Sequence, residues 1–110
     1  MSEITREVME EALEFLAATD YEYARLKALY NGLTQQKPTI KAQAFMQTRE
    51  GPQTQKEHQA SMSFLYTEHL KKIECVELEM LTVQNQRATK IVLIDCWRSL
   101  NAARSRGQIV

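Results

Sequence analysis

Apolar residues recur at three- and four-residue spacing along nearly the whole chain, which is the period of an amphipathic helix. Ile4, Val8, Ala12, Phe15 and Leu16 form the first such set and predict a short N-terminal helix over about 3–17. Leu26, Leu29, Leu33, Ile40 and Ala44 form a second. At 100° per residue these five fall within about 60° of one another. The stripe stays in phase across Pro38, so residues 20–48 read as one long helix kinked there, in preference to two helices separated by a loop at 35–38. Between the two sets, Thr19-Asp20-Tyr21-Glu22 has the form of a capping box and predicts a fresh helix start.

The next break is Glu50-Gly51-Pro52-Gln53, the clearest turn signal in the chain. Thr54-Gln55-Lys56-Glu57 repeats the capping-box pattern and predicts a short helix over about 55–60. Ser61 or Ser63 then caps a last helix over about 63–105, which contains no Gly or Pro and meets Gly107 where a terminating residue belongs. Tyr66, Ile73 and Met80, with Val76 and Val83, alternate like heptad core positions. The register then shifts to Ile91, Ile94 and Trp97/Arg98, with Gln84, Arg87 and Ala88 as a polar or thin layer at the shift. A forty-residue helix spans roughly 60 Å and cannot bury its own stripe. The expected fold is therefore all-α, a single helical domain over 1–110. It is a long antiparallel, coiled-coil-like helical hairpin with a short N-terminal helix, and it is oligomeric.

Composition agrees with this reading and removes several alternatives. The chain has 110 residues, and its three Gly and two Pro are too few for an all-β fold built on tight turns. No apolar run is long enough to cross a membrane, and residues 1–14 lack the pattern of a secretory leader. Cys75 and Cys96 lie 21 positions apart in one predicted helix, roughly 30 Å, and cannot pair within it. They read as reduced thiols of a cytoplasmic protein.

Candidate chemistry is sparse. His58 and His69 are eleven apart with no ligand-type residue at helical spacing, and there is no C-x-x-C. His69 reads as a residue of the hairpin seam. No nucleophile motif and no glycine-rich phosphate loop occurs. We expect no catalytic residue, no metal and no cofactor, and hence a protein that is not an enzyme.

Charge is more telling, because the formal total of zero hides a segregated chain. Residues 1–22 carry seven acids and one base, residues 23–49 carry five bases and no acid, and residues 87–110 carry five bases and one acid. On a continuous helix Lys27, Lys37, Lys41 and Arg49 fall within about 120° of one another, as a basic ridge beside the apolar stripe. The C-terminal run Trp97-Arg98-Ser99-Leu100-Asn101-Ala102-Ala103-Arg104-Ser105-Arg106-Gly107 combines guanidinium groups with an indole. That is the chemistry of single-strand contact, with Arg98, Arg104 and Arg106 on phosphate and Trp97 stacked on a base. Lys37, Lys41 and Arg49 form a second track. The alternatives are a Trp97 that caps the hydrophobic core, and basic residues that pair with the acidic first helix.

The stretch Asp20-Tyr21-Glu22-Tyr23-Ala24-Arg25-Leu26-Lys27-Ala28-Leu29, the run Lys41-Ala42-Gln43-Ala44-Phe45 and the Trp97–Gly107 end resemble small helical proteins of tailed bacteriophages. That resemblance implies a phage setting near replication and recombination genes, and no catalytic residues. It leads to a non-enzymatic accessory protein of DNA metabolism that binds single-stranded DNA or a recombination or replication protein. The competing reading is a helical protein-binding module, or an inhibitor of a host or phage protein, without nucleic acid.

Overall fold

A computed structural model describes residues 3–48 and 51–107. They form three α-helices: α1 Arg6–Met46, α2 Gln53–Met62 and α3 Phe64–Ser105, of 41, 10 and 42 residues. There is no strand among the described residues. The expected all-α fold, with α1 packed against α3 as a hairpin, is the one found. The chain divides into two compact units, residues 1–24 with 81–110 (unit 1) and residues 25–80 (unit 2).

In unit 1 the start of α1 lies against the end of α3. Contacts run from Glu3 with Arg104, through Leu16 and Asp20 with Arg87, to Tyr23 with Gln84. The partner number falls as the α1 number rises, so the pairing is antiparallel. Ala12 and Ile94 are its buried apolar residues. In unit 2 the same order holds, from Leu33 with His69 to Lys41 with Tyr66. Leu26, Ala44, Ala60 and Met80 are buried there beside His69.

One expected helix boundary is absent. The separate helices 3–17 and 20–48 are one helix, α1, and residues 18–20 do not interrupt it. Thr19 does not act as an N-cap. Its hydroxyl donates backwards to the Phe15 carbonyl at 2.7 Å and accepts from Arg87 at 2.8 Å. With both roles filled inside the helix, and Ala17 and Ala18 as strong helix formers, the local capping preference loses. The real N-cap is Thr5, whose Oγ1 accepts the Val8 amide at 3.2 Å.

Pro38 lies inside α1 without ending it, so residues 20–48 run on as the in-phase stripe predicts. Proline has no amide to give the Thr34 carbonyl. Thr34 and Pro38 are both exposed, so that loss falls on the wet side of the helix, while the apolar stripe keeps its phase. One residue earlier, the Leu33 carbonyl receives His69 Nε2 at 2.7 Å. A carbonyl only accepts, so this ring nitrogen carries a proton.

Cap chemistry explains the other ends. α2 begins at Gln53 behind Pro52 with no side-chain cap, so Thr54 is already inside the helix. Ser63 joins α2 to α3. Its amide and hydroxyl both donate to the Ala60 carbonyl, and its Oγ accepts the Tyr66 amide at 3.2 Å. α3 stops at Gly107, whose φ of +71° closes the helix through its amide to the Arg104 carbonyl.

Candidate functional site: an apolar groove in unit 2 and the basic residues

The basic residues expected to contact nucleic acid fall in both units. Lys37 and Lys41 are exposed on α1 in unit 2. Lys41 Nζ sits 5.7 Å from the centre of the Tyr66 ring, a cation–π distance. Arg49 lies outside the described residues. Trp97, Arg98, Arg104 and Arg106 belong to unit 1. Trp97 is half-buried and lines a cleft with Glu3, Thr5, Arg6, Asn101 and Arg104. Arg104 Nη2 is 3.8 Å from the Glu3 carboxylate. Arg98 and Arg106 are exposed and make no ion pair among the described residues.

The acidic end of α1 therefore shares unit 1 with the basic end of α3, and part of that charge is matched internally. Counted over whole units, eight carboxylates against six bases give unit 1 a formal charge of −2, and eight bases against six carboxylates give unit 2 +2.

Arg87, expected in a polar layer, is the centre of one. Its Nη1 donates to the Leu16 carbonyl at 2.7 Å and to Thr19 Oγ1 at 2.8 Å. Its Nη2 reaches Asp20 at 3.3 Å, and its guanidinium sits 5.5 Å from the Tyr23 ring centre. Tyr23 in turn donates to Gln84 Oε1 at 3.3 Å. The Arg87 side chain keeps 17% exposure against 79% for Asp20. Arg87 is thus committed to packing and cannot serve as a free cation.

Unit 2 carries a feature that periodicity alone did not separate from the core. Leu29, Leu33, Cys75 and Val76 line an open, mainly apolar groove between α1 and α3, with Glu68, Lys71 and Lys72 along its α3 side. Leu29 shares the α1 stripe with Leu26, yet Leu29 is 41% exposed and Leu26 only 2%. A single facing helix covers the middle of the stripe and leaves its edge in water. Lys71 Nζ is 3.2 Å from Glu68, and Lys72 makes no ion pair among the described residues. A neighbouring recess, lined by Ile40, Phe64 and Leu65 with His69 and Lys72, continues the apolar surface. The only hint in the sequence was the width of the stripe, which holds more large apolar side chains than one partner helix buries.

On the other chemistry, Tyr30 is held by the Glu77 carboxylate, whose hydrogen bond and negative charge raise the phenol above its ordinary value of 10.0. Among the described residues no group of three His, Cys, Asp or Glu stands close enough to hold a metal ion. Among the described residues no helix is long and apolar enough to cross a membrane. No known protein family matches the chain, and neither a curated protein nor a solved structure is significantly similar to it.

Proposed function

We propose that the protein is a non-catalytic binding module whose unit 2 groove receives an amphipathic helix from a protein partner. The observation that carries this reading is the apolar floor at Leu29, Leu33, Cys75 and Val76, of which Leu29 and Cys75 are exposed and Leu33 and Val76 half-buried. Helix-in-groove recognition needs an apolar trough with a charged margin, and this trough has one in Lys71 and Lys72. Covering a large apolar side chain completely is worth about 1.5–3 kcal/mol, so a few half-open residues supply useful binding energy. On the resemblance to phage proteins, the module works in a replication or recombination setting.

Association with DNA is the second reading. It is favoured by Lys37, Arg98 and Arg106, which are exposed and without ion pairs among the described residues. It is weakened by the Glu3–Arg104 contact and by the net charge of −2 on the unit that holds Trp97 and Arg98. This reading makes the protein an accessory of DNA metabolism that contacts single strands directly.

One experiment separates them. A benzophenone attached to Cys75, in a Cys96→Ser background, is photolysed in a lysate of producing cells, and labelled DNA is titrated by anisotropy across a salt series. The groove reading expects a protein cross-link that Val76→Asp abolishes, and weak DNA binding. The absence of any cross-link, with DNA affinity that falls steeply as salt rises, transfers the function to the basic residues.

A further inference from the structure

We propose that the occupant of the unit 2 groove is a second copy of this chain, presenting the exposed face of α1 from its own unit 1. This rests on the groove being a docking site and adds the identity of what docks.

The face in question is a line of residues four apart. Leu13, Ala17 and Tyr21 stack along one side of α1. All three are exposed, Leu13 at 45% and Tyr21 at 79%. Glu10 and Glu14 flank them, exposed and with no ion pair among the described residues. An apolar line edged by carboxylates matches an apolar trough whose margin holds two lysines against one carboxylate, Glu68. Lys71 is already shared with Glu68, so Lys72 is the cation left to meet Glu14. The charges of the two surfaces' units are opposite as well, −2 for the one that presents the helix and +2 for the one that receives it.

The line and the groove are different surfaces, so the contact is heterologous, and it propagates unless two copies exchange both halves. Each copy carries one of each, and no other component is required.

The test uses the purified full-length chain. Light scattering over a concentration series is expected to give masses above 12.7 kDa that fall as salt is raised, because the Glu14–Lys72 contact is screened. Lys72→Glu should weaken association about tenfold by setting like charges together, and adding Glu14→Lys should restore most of it. In a Cys96→Ser background, Ala17→Cys should form a disulfide with Cys75 of another copy under mild oxidation, giving covalent dimers and higher multiples of the chain mass, and Cys75→Ser should abolish that bond. A particle of 12.7 kDa at every concentration and salt, without that cross-link, overturns the proposal. The benzophenone at Cys75 shows which idea fails. Cross-linking only to a different protein removes the second copy and leaves the groove reading standing, whereas cross-linking to nothing removes both. Circular dichroism on each variant checks that helix content is unchanged.

Discussion

Arg87 shows how one residue's surroundings decide what its charge does. Its two short bonds, to a helix carbonyl and to the Thr19 hydroxyl, lie in a half-buried seam, while its ion pair with Asp20 reaches water. Hydrogen bonds from a charged donor contribute about 1.5–3 kcal/mol when the acceptor is shielded, whereas an exposed ion pair adds under about 1 kcal/mol. We therefore expect Arg87→Ala to lower stability by roughly 2 kcal/mol and Asp20→Ala by less than about half of that, read as midpoints of chemical denaturation. Tyr30 offers a pH test. The protonated phenol is the form that bonds to Glu77, and its pKa is raised above 10.0. Its contribution is therefore complete below pH 10 and is lost as pH rises through the raised folded value. Glu77→Gln should return the Tyr30 titration toward the ordinary range, observed as tyrosinate absorbance; an unchanged midpoint would remove the carboxylate as the cause. Two glycines with opposite settings complete this scale. Gly32 is mid-helix with open space where a Cβ would stand, so Gly32→Ala should stabilise by about 0.5–1 kcal/mol. Gly107 has φ +71°, and Gly107→Ala should cost about 1–2 kcal/mol at that helix end.

At the level of elements, caps and breaks explain both the success and the failure of reading the sequence. Ser63, one of the two serines legible as a cap for α3, fills that role with a hydroxyl that has only the Tyr66 amide and the Ala60 carbonyl to serve. Thr19 and Thr54 carry the same capping signature, yet both lie inside helices. For Thr19 the reason is tertiary: Arg87, 68 positions away, occupies its oxygen. No local pattern contains that contact. Ser63→Ala should therefore cost about 1 kcal/mol in thermal or chemical unfolding, and Thr54→Ala a few tenths at most. Pro38 is the converse case. Its periodic stripe was readable through it, and the helix continues because the lost bond lies on the exposed side. Pro38→Ala should stabilise, by up to about 3 kcal/mol, since alanine restores both an amide and helix propensity. A loss of stability instead would mean that the proline shapes the Leu33–His69 contact.

For the whole molecule, the all-α hairpin was legible because helical period, scarce Gly and Pro, and one strong turn all agreed. The candidate site was not. Leu29 and Leu33 looked like core, since periodicity identifies an apolar face but not how much of it a neighbour covers. The segregated charges were visible, yet their internal matching at Glu3–Arg104 required the antiparallel alignment of α1 with α3 in unit 1. Unit 2 keeps a partly exposed apolar groove, and the two units bear opposite formal charge. The central claim is that another chain covers the unit 2 groove, and the unmodified protein contains its own reporter. Cys75 lies in that groove, while Cys96 is exposed in unit 1 beside Ile4 and Leu100. Alkylation of both thiols in the same sample with one reagent, followed by mass spectrometry, gives a rate ratio that is independent of dose. We predict that Cys75 becomes protected relative to Cys96 as chain concentration rises, and that Lys72→Glu removes the protection. Equal relative rates from dilute to concentrated solution, and in cell lysate, would contradict the account.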